Sequence, residues 1–121
     1  MYDTESAKNV NTDSIPEPKG WKILIAMPKV EEKTAGGILR PDQLKSLEEV
    51  ASILGYVVKV GDLAYGDTSK FTTGPWCKEG DWVVFRSYAG TRFKVKDQEF
   101  RLINDDTVEG IVEDPRDFRR A

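Results

Sequence analysis

DWVVFRSYAGTRFKVKDQEFRLINDDTVEGIVE, residues 81–113, is the stretch whose reading decides the fold. In DWVVFRSY, Trp82 and Val84 alternate with Val83 and Phe85, the two-residue period of a strand. Ala89-Gly90-Thr91 supplies a turn. RFKVK then alternates cleanly, Phe93 and Val95 against Arg92, Lys94 and Lys96, as a strand with one wet face should. EFRLIN (99–104) is expected to continue it, Asp105-Asp106 to turn the chain, and VEGIVE (108–113) to form a last short strand. Strand follows strand with no room for a helix, which predicts an all-β barrel or sandwich in which closure removes open edges.

Upstream, ASILGYVVKVGD (51–62) crowds β-branched and aromatic residues together, with Gly55 placed as a bulge or bend would be, so it reads as one long strand or a bent pair. WKILIAM (21–27) puts Trp21, Ile23, Ile25 and Met27 on one face and Lys22, Leu24 and Ala26 on the other; both faces are largely apolar, so both should be covered. Between these strands PDQLKSLEEVA has a helix start in Pro41-Asp42, and Leu44, Leu47 and Ala51 at helical spacing, which predicts a short amphipathic helix near 42–50. The division expected is a polar N-terminal arm (1–19), a β-barrel (20–114) with loops at about 28–49 and 61–80, and a charged tail (115–121).

The 121 residues suffice for one modest core, with 39% hydrophobic and 10% aromatic residues. A net charge of -3 argues against phosphate-backbone binding. No apolar run is long enough to span a bilayer and the acidic start lacks the features of a signal peptide, so a cytoplasmic protein is expected. There is no histidine and one cysteine, Cys77, which excludes Ser-His and Cys-His triads and the usual zinc sites; no metal or cofactor is expected.

The chemical candidates read mostly as structure. Asp105-Asp106 and Glu48-Glu49 are neighbours in sequence and point apart, so a turn is favoured over acid–base work. Cys77 reads as packing against Trp76 rather than as a reactive thiol. Phe71, Trp76, Trp82 and Phe85 read as core rather than as a stacking platform. The best nucleic-acid candidate is RSYAGTRFKVK, where Arg86, Tyr88, Arg92, Phe93, Lys94 and Lys96 interleave charge with rings, as in an oligonucleotide-binding barrel; this is the alternative function, disfavoured by the acidic whole.

EEKTAGGILRPD (31–42) is different, because Ile38 and Leu39 follow two glycines in a charged setting with no obvious core. On pattern alone they are either tucked inward or offered to a partner's groove.

WKILIAM, EEKTAGGIL, ASILGYVVKVG, KEGDWVVF and YAGTRFKVKDQEFRLINDDTVEGIVE, in that order, resemble the GroES-type co-chaperonins, the ten-kilodalton chaperonin family, over most of residues 20–114. The resemblance implies an irregular GroES-like β-barrel subunit, a heptameric ring, and a lid role on a GroEL-type chaperonin that encloses a non-native client and depends on the partner's ATP. By position, Gly36, Gly37, Ile38 and Leu39 match the tip of the family's mobile loop, and Arg40 falls where the family has a third apolar residue. Subunit pairing of first strand to last strand implies Ile23, Leu24 and Ile25 against Val108, Ile111 and Val112. The 61–80 loop, with Tyr65, Phe71 and Trp76, stands where the family has a roof hairpin. These departures, the PDQLKSLEE insertion and the longer chain ends resemble the divergent co-chaperonins of bacteriophages, whose client can be a capsid protein.

Overall fold

The computed structural model describes residues 2–3, 7–8, 14–30, 33–34, 37–38, 40–41 and 52–118. Its strands are β1 (Tyr2–Asp3), β2 (Lys22–Ala26), β3 (Lys29–Val30), β4 (Lys33–Thr34), β5 (Gly37–Ile38), β6 (Leu54–Val60), β7 (Trp82–Val84), β8 (Thr91–Val95), β9 (Gln98–Asn104) and β10 (Gly110–Val112), with 3-10 turns at Asp105–Thr107 and Pro115–Asp117. The all-β, irregular barrel-like class expected from the sequence is the observed one. Six strands form one antiparallel sheet in the order β10-β7-β6-β2-β9-β8. The helix expected near 42–50 lies outside the described residues; Pro41, at its start, has helical backbone.

Both faces of WKILIAM are covered from Ile23 to Met27, whereas Trp21, expected on the first face, stands before the strand and is 59% exposed. On one side Ile23, Ile25, Val57, Val83, Phe85 and Ile103 pack under the 61–80 loop, which sends Tyr65, Phe71 and Cys77 into the same cluster. On the other, Leu24, Ala26, Leu54, Trp82 and Phe100 form a second cluster, covered by Ala7, Ile15 and Phe118 from the two chain ends. A strand with both neighbours and both faces occupied is the centre of the domain, and β2 pairs with β6 and with β9.

Two details depart from the sequence reading. ASILGYVVKVGD gives one continuous strand, and its bulge falls at Val58 rather than Gly55: Leu24 faces Lys59 while Ile25 faces Val57, leaving Val58 as the extra residue. Gly55 serves close approach instead, since a Cβ there would strike the Ile25 Cγ2 and press on the Phe85 ring. EFRLIN does not continue RFKVK but folds back on it. Val95 faces Gln98, and the intervening Lys96 and Asp97 both have positive φ, 49° and 66°, the geometry of a two-residue type I′ turn.

Arg101 is fully buried on the first face. Its Nη1 donates to the carbonyls of Ser87 (2.9 Å) and Ala89 (3.2 Å), and its guanidinium lies 5.1 Å from the Phe85 ring centroid. One side chain thus fastens the 86–90 connection to the sheet, while its Nε and Nη2 have no hydrogen-bond partner. Burial, then the nearby Arg92 charge, lowers its pKa from the ordinary guanidinium value.

Candidate functional site

The 28–49 loop leaves the sheet at Met27, whose N–H donates to Glu99 O (3.0 Å), and starts as β3, which pairs with β1. Within it β4 and β5 form an antiparallel ladder, Lys33 opposite Ile38 and Thr34 opposite Gly37. Gly37 is therefore a ladder residue rather than part of a hinge. Ile38 ends the ladder, and Arg40 beyond it is exposed. Gly36 and Leu39 lie outside the described residues.

Tyr65, Phe71 and Trp76 converge as a packed aromatic set. Tyr65 and Phe71 meet edge to face at 4.8 Å and 81°, Phe71 and Trp76 at 4.9 Å and 83°, both favoured ring geometries. Tyr65 and Phe71 are buried, whereas Trp76 is 40% exposed. Tyr65 carries the loop's polar anchor. Its N–H donates to Asp105 Oδ2 (3.0 Å) and its hydroxyl to Asp105 O (2.9 Å), with Cys77 Sγ 3.3 Å from the same oxygen. The phenol's one hydrogen goes to the carbonyl, so the thiol donates to the phenol oxygen. Burial raises the pKa of Tyr65, with further contributions from Cys77, and burial also pushes up the Cys77 thiol. Cys77 thus packs inward against Tyr65 with no sign of an activated thiolate. Asp105, expected only to turn the chain, is buried and anchors this loop.

The residues expected at a subunit contact separate into two groups. Ile23, Leu24 and Ile25 are fully buried within the single chain, and both edges of β2 are already paired. A direct β2 contact to a neighbour would require opening the sheet. At the other end, Val108 is buried and Val112 half-buried, but Ile111 is 50% exposed on β10, whose outer edge has no partner among the described residues. A groove of about 270 Å³ runs there between Trp76 and Val108–Ile111. The role of Trp76 in this groove was hidden in the sequence, because the register of a loop aromatic against an edge strand leaves no periodic signal.

Of the nucleic-acid candidate residues, Tyr88, Lys94 and Lys96 are exposed, while the other three already have partners. Arg92 pairs with Glu99 at 3.2 Å, and Arg86 with Glu109 at 3.5 Å. Phe93 is half-buried and stacks on Phe100 at 5.7 Å and 16°, so its face is already used. Among the described residues no three His, Cys, Asp or Glu side chains gather as a metal site would, and no helix is long and apolar enough to cross a membrane.

The family of the chaperonin 10 kDa subunit matches residues 17–112. Among similar proteins are the co-chaperonins GroES of Desulfotalea psychrophila, 38% identical over 96 residues, of Caldicellulosiruptor saccharolyticus, 34% over 97, and of Rubrobacter xylanophilus, 32% over 98. The matched regions cover 79–81% of this chain and 96–97% of those proteins. The six-stranded sheet and the loop set into its β2–β6 connection lie within that match, and the chain belongs to the chaperonin 10 kDa subunit family, the GroES co-chaperonins.

Proposed function

We propose that this protein is a ring-forming lid that caps a GroEL-type chaperonin through the 28–49 loop and encloses a non-native client in the cytoplasm. The observation that carries the reading is the family match running through the loop, so that Gly36-Gly37-Ile38-Leu39 occupies a segment set between two paired strands of the same sheet. The role is mechanical rather than catalytic: the lid binds and leaves, and the partner's ATP cycle times both events.

The energetics suit a reversible cap. Burying one Ile and one Leu yields about 3–6 kcal/mol gross, while ordering loop residues costs about 1–2 kcal/mol each. A single loop therefore binds weakly. Loops presented together on a closed ring make later contacts intramolecular and raise affinity by roughly a hundredfold or more.

A ring, heptameric by resemblance to the family, needs a repeated heterologous contact. The surface that supports it is the open edge of β10 with exposed Ile111 and the groove beside Trp76, and not the buried Ile23, Leu24 and Ile25. Ile38→Asp tests the lid reading: the ring should persist while chaperonin-dependent refolding of a denatured client is lost. Refolding at the wild-type level would refute it.

A further inference from the structure

We propose that the N-terminal arm is an intramolecular strap that pins the root of the 28–49 loop and so sets how readily its tip is captured. The geometry is a ladder at one end and a buried foot at the other. β1 pairs antiparallel with β3, Tyr2 opposite Val30 and Asp3 opposite Lys29, so the first residues of the chain lie on the two that launch the loop. Further along the arm, Ala7 is fully buried against the second apolar cluster, whose β2 members Leu24 and Ala26 sit just before that root. The same cluster takes in Phe118 at the end of the C-terminal 3-10 turn, so the arm and the C-terminal turn share one apolar face.

The arm is an addition to the shared fold. The family match begins at residue 17, although the related proteins are matched over 96–97% of their own lengths. Among the described residues β3 has no strand partner other than β1. Without the arm its backbone groups would turn to water, and the loop would swing from Met27. With the arm, part of the ordering that capture demands is already done, which is how preorganisation raises affinity. A hold of two ladder pairs and one buried methyl group is weak enough to open locally without unfolding the sheet.

The coupling to capture rests on the lid reading, but the strap itself is tested in the free protein. Two variants break it differently: Tyr2→Pro with Asp3→Pro removes the backbone donors of β1, and Ala7→Asp places a charge at the buried foot. Hydrogen exchange is read over residues 28–30 of the free full-length chain, where ladder alternation gives one of the Lys29 and Val30 amides a hydrogen bond. Exchange there should rise at least tenfold in both variants, with β2, β6 and β9 unchanged. Capture by a GroEL-type ring with nucleotide should weaken at least threefold. Wild-type exchange at the root in both variants overturns the strap, and faster exchange with equal or tighter capture overturns its coupling to binding. A wild-type chain that joins no chaperonin refutes the lid reading alone, and the exchange arm still decides the strap.

Discussion

Tyr65→Phe removes one oxygen from the buried anchor of the 61–80 loop and leaves every ring contact in place. Asp105 O loses its 2.9 Å donor, and the Cys77 thiol loses the acceptor 3.3 Å away. The contacts to Phe71 and Trp76 and the left-handed backbone at residue 65 (φ 59°) are common to both side chains. An ordinary buried hydrogen bond is worth about 1 kcal/mol net, and a buried acceptor left without a donor costs about 1–3 kcal/mol. The thiol contact is weak, so the sum is about 2 kcal/mol at pH 7. For a domain of this size that lowers the melting temperature by roughly 8 °C. Burial raises the Tyr65 pKa, so the folded state keeps a proton that the unfolded chain gives up above about pH 10. The wild type should therefore lose up to about 1.4 kcal/mol per pH unit above that point from this group, and the variant none. Urea unfolding followed by tryptophan fluorescence should show the two proteins separated by about 2 kcal/mol at pH 7 and converging by about pH 11.5. A difference below about 0.5 kcal/mol at pH 7, or one that stays constant into the alkaline range, would mean that Tyr65 does not anchor the loop.

Three further outcomes can be checked directly. Ile111→Asp, at a half-exposed position on an edge strand, should keep the folded sheet by circular dichroism and lower the solution mass to that of a monomer, whereas Leu24→Ala, in the sheet's centre, should cost about 2–5 kcal/mol; a persistent ring in the Ile111 variant would remove β10 from the interface. Gly90→Ala should destabilise by about 1–3 kcal/mol, because φ is 78° there and a Cβ would strike Leu102 O and the Ile103 Cγ2; calorimetry with a loss under a few tenths would contradict the backbone geometry. Arg40→Leu adds about 1.5–3 kcal/mol of gross apolar burial at the loop tip, and stopped-flow release from the chaperonin should slow; unchanged release would place residue 40 outside the captured segment.

Where the sequence was readable, the reason is periodicity. Phe93 and Val95 against Arg92 and Lys94 have a clear two-residue alternation, and β8 half-buries the first pair and exposes the second, while Lys96 falls in the turn beyond it. The two-sided apolar pattern of WKILIAM likewise marked a strand covered on both faces, but the same pattern suits an interface and a core equally well. Only the strand order separates them: β6 and β9 flank β2, so its apolar residues are interior. Turn chemistry was the weaker guide. Lys96-Asp97 makes a type I′ turn without the Asn-Gly or Asp-Gly that usually announces one, so the hairpin read as one run. Asp105 read as a turn residue, and it is one; its second role depends on Tyr65, forty positions away, a pairing that no local pattern carries. The pairing of Gly37 and Ile38 with Thr34 and Lys33 had no local signal either, because two residues are too few to show a period.

The sheet's two ends are unlike in one respect that matters outside the folded subunit. β8 carries exposed Arg92 and Lys94, charges of the kind that keep an edge from recruiting foreign strands. β10 presents Gly110, Ile111 and Val112, with the charges of Glu109 and Glu113 only at its two ends. An adhesive edge that met only its own kind would stop at a pair, so a ring requires a complementary surface elsewhere on the subunit, and a rotation per contact that fails to close would propagate as a filament. In the ring proposed above, closure would protect the protein against its own edge as well as present its loops, and subunits kept from closing should precipitate through β10.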